Sequence, residues 1–302
     1  PEETAVHDRL VAICLDEARF ADVGDVLRQK RDVLVAADAP SSQLADLECE
    51  LGMLSFATRE EGMGVDAAVG HYEAALAHED GHGESVARLE ELISDEDAQL
   101  RISQILEGVY RQNSNVSALA DTLEIQLRHA DLEGRSSDAW KLLGDLGGIY
   151  ADELSNQELT WKTHARRFSL RPHVKKLRGQ FEGLTEELDK WEELIRLYRL
   201  HVDDVEESGP RLAINWTVAH TLNDRLGRSE EALSFYHAVL DDEAEHQDAL
   251  DALESIYQRL DRPEELLDIY RRKVSMLTDD GAKLDYLYRI SELYSDRLEA
   301  PE

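Results

Sequence analysis

The stretch Trp216–Tyr236 reads WTVAHTLNDRLGRSEEALSFY, and 34 residues later Leu250–Tyr270 reads LDALESIYQRLDRPEELLDIY. Under this shift Trp216 falls on Leu250, Leu226 on Leu260, Ala232 on Leu266 and Tyr236 on Tyr270. A third copy lies 72 residues before the second, where DKWEELIRLY (Asp189–Tyr198) mirrors DRPEELLDIY (Asp261–Tyr270). Self-similarity at a period between about 20 and 50 residues marks a repeat architecture, in which each unit stacks on its neighbours. Within each copy the apolar residues recur at i, i+3, i+4 and i+7, the spacing of one helical face. The same spacing runs along nearly the whole chain, which has only six prolines and no convincing strand-like alternation. An all-α fold follows.

The two best copies resemble the tetratricopeptide repeat (TPR), a unit of two antiparallel helices A and B. Trp216, Ala232 and Tyr236 match its first, fifth and sixth signature positions, and Leu250, Leu253, Tyr257 and Tyr270 match the next unit. Leu51-Gly52 followed by Ala68, Tyr72 and Ala75 is a further match near the N-terminus. The resemblance implies a right-handed α-solenoid, a superhelix of antiparallel helix pairs with its concave face lined by helices A. Applied along residues 1–302, it gives one array of about seven pairs plus a terminal helix A. The helices B begin near Ala21, Val65, Val116, Gln157, Lys190, Ser229 and Pro263. Their anchors Leu27, Tyr72, Leu123, His164, Tyr198, Tyr236 and Tyr270 are spaced by 45, 51, 41, 34, 38 and 34 residues, so the early units carry extra length. An irregular insertion is expected around 78–97, with a short helix over Ser85–Ile93. The last segment ends at Pro301-Glu302, where the alignment expects the next helix B to start, so the sequence is expected to stop inside a repeat. Its final helix carries Leu284, Leu287, Tyr288, Ile290 and Tyr294 on more than one face, which suggests self-association there.

Lysine and arginine number 33 against 65 acids, a formal charge of -32 spread along the chain. Such a field repels phosphate backbones and anionic lipid, and argues against nucleic acid and membrane as general partners. Solubility, adaptation to salt and attraction of basic partners all fit it. Cys14 and Cys49 stand alone in apolar helical patterns, without the spacing of a disulfide framework or zinc site. They are expected to be buried thiols in a reducing, cytoplasmic setting. There is no run of the roughly 18 apolar residues a membrane span needs.

Against this acidic background, Trp161–Arg178 (WKTHARRFSLRPHVKKLR) contains no acid. Its cations Lys162, Arg166, Arg167, Arg171, Lys175, Lys176 and Arg178 form a positive island that could bind an acidic or phosphorylated ligand, or could simply neutralise neighbouring repeats. The resemblance implies inward-facing positions at Asp248, Asp251, Ser255 and Gln258 in one unit and Ile214, Thr217, Thr221 and Asp224 in the preceding one. Family members that clamp a peptide's C-terminal carboxylate use Lys and Asn at these places; neither is present here, so a basic or neutral peptide is the better guest. The partner-binding candidates are therefore the first six cations of the island together with Asp248 and Asp251.

His78, Glu79, Asp80 and His82 lie close in sequence, but a Gly-rich loop does not hold three or four ligands in a tetrahedron, and no metal site or cofactor is expected. No nucleophile elbow, phosphate loop or HExxH motif occurs, and the abundant carboxylate pairs reflect composition. The sequence reads as a protein-interaction scaffold without catalysis; the alternative is the sensory or autoinhibitory arm of a larger multidomain protein.

Overall fold

A computed structural model describes residues 2–17, 19–58 and 64–296, which form two compact units divided between Asn156 and Gln157. Among the described residues the regular structure is entirely helical. The first unit contains α1 (Glu2–Asp16), α2 (Phe20–Ala36), α3 (Ser41–Thr58), α4 (Val65–His78), α5 (Gly83–Leu92), α6 (Gln99–Gln112), α7 (Val116–Leu132) and α8 (Ser136–Gly148). The second contains α9 (Gln157–Leu170), α10 (Lys175–Leu188), α11 (Trp191–His201), α12 (Ser208–His220), α13 (Ser229–Asp242), α14 (Gln247–Arg259), α15 (Pro263–Met276) and α16 (Asp280–Asp296). In each unit a helix packs on the one before it, so that α3 and α4, α6 and α7, α12 and α13, and α14 and α15 form closely apposed pairs. Each unit is thus a stack of helix pairs, an α-solenoid architecture. Pro301-Glu302, the expected start of a further helix B, lie outside the described residues.

The tight turns share a chemistry that the sequence repeats. Asp189, Gly227 and Asp261 occupy equivalent places in the three copies, and all three adopt the left-handed conformation, with φ of 53°, 66° and 54°. Glycine pays no Cβ penalty there, and the short polar side chain of Asp makes it one of the few other residues that visit the region routinely. The helix that follows opens on paired acids, Glu192-Glu193 in α11, Glu230-Glu231 in α13 and Glu264-Glu265 in α15. Their charge favours the positive end of the helix dipole. Pro263 adds a preset φ at the first position of α15.

The core of the second unit runs without a break from Trp161 to Tyr270. Its most buried large side chains include Phe168, Phe181, Tyr198 and Tyr236, none more than 1% exposed. The first unit has one cluster around Leu27, Leu47 and Leu51 and another around Tyr72, Leu89, Ile102 and Leu106. Three buried tyrosines satisfy their hydroxyls by reaching to a neighbouring helix. Tyr110 donates to Glu90 at 2.5 Å, Tyr150 to Glu124 at 3.0 Å and Tyr198 to Glu182 at 2.7 Å. Burial and these carboxylates push the three phenols well above their ordinary range.

Glu48 is the buried acid of the first unit, its side chain 6% exposed, with His71 Nδ1 at 2.7 Å and Arg31 Nη1 at 3.5 Å. Burial pushes its pKa up, but the hydrogen bond and charge of His71, aided by Arg31, outweigh burial and hold it below the usual carboxylate value. A depressed folded pKa supplies stability above the unfolded pKa that disappears as pH falls through the folded value. Urea midpoints compared at about pH 7 and about pH 4 should therefore fall further for the wild type than for Glu48→Gln. Equal falls would show that the carboxylate is not coupled to folding.

Candidate functional site

The positive island straddles the turn between α9 and α10, and the structure divides it by depth. Lys162 and Arg166 are exposed one helical turn apart on α9, and Lys175 and Lys176 are exposed in the first turn of α10. Arg167 and Arg171 are half-buried. Arg178 is core: it is 7% exposed, its Nε is 4.0 Å from Glu182, and its Nη1 has no acceptor among the described residues. The stretch as read in sequence therefore loses Arg178 from its surface, because that residue lies on the α10 face that carries Leu177 and Phe181 into the core.

The other side chains of the stretch are structural. Trp161 is 8% exposed, donates from Nε1 to Thr185 Oγ1 at 2.9 Å, and packs against Phe181 with ring centroids 5.2 Å apart. Lys190 Nζ sits 4.8 Å above the Trp161 ring and also bonds Glu158 at 2.9 Å. This hydrogen bond leads the effects that lower the Glu158 pKa, and Lys162, 3.6 Å away, adds to it. His164 is half-buried, and burial followed by the nearby Arg167 charge pushes its pKa down. Phe168, one turn later, enters the core beside Trp161 of the same helix, in place of the anchor read at His164.

Opening α10 with Lys175 and Lys176 sets two cations at the positive end of a helix dipole, with no side-chain cap on Val174. That arrangement costs stability on its own and is relieved by an anion. Lys162 of the exposed part lies 3.6 Å from Glu158.

The inward positions implied for α12 and α14 differ from an open groove. Ile214 and Thr221 are buried, at 0% and 2% exposure, because α12 packs on both α11 and α13 and so needs a wider apolar face than one stripe. Thr217 is half-buried and donates to Glu182 at 3.2 Å. On α14, Asp248 and Ser255 are exposed, and Gln258 donates to Tyr270 Oη at 2.9 Å. Asp251 is exposed but serves as a counter-ion to Lys273 of α15, which is 8% exposed and also bonds Glu254. Glu254 in turn accepts from Arg289 of α16 at 2.9 Å, so this cluster ties α14, α15 and α16 together. The outer surface of α16 leaves Leu284, Leu287 and Tyr288 at least half exposed.

Among the described residues no group of three or more His, Cys, Asp and Glu side chains is placed to hold a metal. His82 instead caps α5 by accepting from the Ser85 amide and reaches Asp46 at 3.1 Å. Cys14 and Cys49 are buried free thiols. No described helix is long and apolar enough to cross a membrane.

Comparison with known proteins adds the following. The family model described as "Tetratricopeptide repeat" matches residues 249–284, which span α14, α15 and the start of α16. No curated protein matches the chain significantly. Similar solved structures include a tetratricopeptide repeat protein from Parabacteroides merdae, 12% identical, covering 96% of this chain and 100% of its own, with a TM-score of 0.28. The P58(IPK) TPR domain is 13% identical over 98% of this chain and 99% of its own, with a TM-score of 0.27. The human IFIT1 dimer with m7Gppp-AAAA is 11% identical over 95% of this chain and 81% of its own, with a TM-score of 0.23. Residues 249–284 thus match one tetratricopeptide repeat, set in a succession of stacked helix pairs.

Proposed function

We propose that this chain is a protein-interaction scaffold that performs no chemistry and docks an acidic segment of a protein partner on the α9–α10 face. The observation that carries the reading is the exposure of Lys162, Arg166, Lys175 and Lys176 around one turn of a chain whose formal charge is -32. In so negative a field an acidic partner is repelled almost everywhere else, which confines productive encounter to this face. The tetratricopeptide fold suits the role, because stacked helix pairs present long ordered surfaces. The buried thiols Cys14 and Cys49 fit a reducing, cytoplasmic setting.

The test is fluorescence anisotropy of a labelled Asp/Glu-rich peptide against the whole chain and against Lys162→Ser, Arg166→Ser, Lys175→Ser, Lys176→Ser combined. The expected result is binding that weakens with added salt and falls by about tenfold or more in the variant. Equal binding by both proteins would reduce the island to internal charge balance.

A further inference from the structure

The second unit contains a cleft of about 750 Å³ away from the basic face, walled by α11 and α13 and floored by the first half of α12. Clefts of this volume take ligand groups when a few polar side chains converge in them. The floor holds Asn215, which is 5% exposed and whose carboxamide has no hydrogen-bond partner among the described residues. A carboxamide brings two donors and an acceptor oxygen, and here they face the cleft without a protein partner to use them.

The walls supply a charge pattern. Arg211 is fully committed: Nε donates to Asp242 at 3.0 Å, Nη2 bonds the same carboxylate, and Nη1 meets the carbonyls of Val205 and Glu206 at 3.3 and 3.2 Å. Arg199 donates from Nη2 to Glu231 at 3.1 Å and lies over the Phe235 ring at 5.1 Å, while its buried Nε has no acceptor. Asp203 and Asp241, exposed on the lining, have no ion pair or hydrogen bond among the described residues. Asp242 is paired with Arg211, and Glu231 with both Arg199 and Arg228 (2.6 Å), which leaves Asp203 and Asp241 as the lining carboxylates without an ion pair among the described residues.

We infer that this cleft binds a lysine- or arginine-bearing segment of a protein partner, with the cation between Asp203 and Asp241 and the segment's backbone amide paired to Asn215. A peptide group offers what the floor lacks, since its N–H and C=O can satisfy the carboxamide together. A bare metal ion would leave the Asn215 donors unmet. The site is opposite in sign to the α9–α10 face and uses none of its residues, so either proposal can fail while the other stands.

The experiment titrates the whole chain into a fluorescein-labelled Gly-Ser peptide carrying one Arg-Lys pair, beside the same peptide with Gln-Gln in its place. Binding of the Arg-Lys peptide should weaken about tenfold in Asp203→Asn/Asp241→Asn and about fivefold in Asn215→Ala, which leaves the net charge untouched. A control, Glu264→Gln/Asp285→Asn, removes the same charge from exposed positions outside the cleft and should change binding less than about twofold. Thermal unfolding checks that Asn215→Ala is folded, and if it is not, the two exposed-pair variants alone decide. Equal weakening in both charge pairs, full binding by folded Asn215→Ala, or equal binding of the Gln-Gln peptide would overturn the assignment.

Discussion

Phe168→Ala should lower the stability of the second unit by about 3–5 kcal/mol, the cost of removing a large ring from a site that cannot collapse around the space. Phe168 is 0% exposed and joins three helices. Its ring stacks on Tyr198 at 4.7 Å and on Phe181 at 6.0 Å, and meets the edge of His201 at 6.2 Å. Tyr198 is held from the other end by its hydroxyl bond to Glu182, at 2.7 Å, so it has little freedom to fill the void. Denaturant titration followed by tryptophan fluorescence reads the change. A loss under about 1 kcal/mol would mean that α9 is not integral to this core, contrary to the packing described above.

Gly52→Ala should destabilise the first unit by about 2 kcal/mol, although the same replacement in an exposed helix gains roughly 1 kcal/mol. A Cβ on Gly52 would lie 2.5, 2.8 and 2.9 Å from three carbons of the Tyr72 ring. That ring is 2% exposed, and burial raises its phenol pKa to about 12. The helix α3 can approach α4 so closely only because residue 52 has no side chain. Gly179 of α10 is the counter-example, with nothing within 4 Å of an added Cβ. Gly179→Ala should therefore stabilise by about 0.5–1 kcal/mol. A denaturant midpoint that is unchanged or raised in Gly52→Ala would refute the close approach at Gly52.

Both predictions bear on what a sequence can disclose. The all-α fold was legible from the spacing of apolar residues and from the copies at 189, 227 and 261, whose left-handed turn residues and following acids are local chemistry. Leu51-Gly52 and Tyr72 were legible as repeat signature positions, but the close approach of the Tyr72 ring to Gly52 appears only in the structure. What escaped depends on how neighbouring helices cross. Helical spacing gives a residue's angle about its own axis and nothing about how wide a face the neighbours cover. Hence Ile214 and Thr221, read as groove positions, are buried between two flanking helices, and Phe168 takes the core place assigned to His164. Arg178 was counted with the exposed island because charge alone suggests solvent; its place on the same buried face of α10 as Leu177 and Phe181 was the missing signal. The cleft over Asn215 draws its lining from three helices, and no single segment of sequence shows that Asp203, Asn215 and Asp241 share one wall system.

The distribution of tryptophan gives the molecule a built-in spectroscopic asymmetry. Trp140 is the one indole of the first unit, whereas Trp161, Trp191 and Trp216 all belong to the second. Two of those three lie beneath cations, Trp161 under Lys190 and Trp191 under Arg225 at 4.4 Å, so their emission responds to separation of α9 from α11 and of α11 from the turn after α12. Fluorescence thus follows mainly residues 157–302, while far-ultraviolet circular dichroism weights both helical units alike. Melting curves from the two probes would superimpose if the chain unfolds in one cooperative step, and would separate if one unit loosens first.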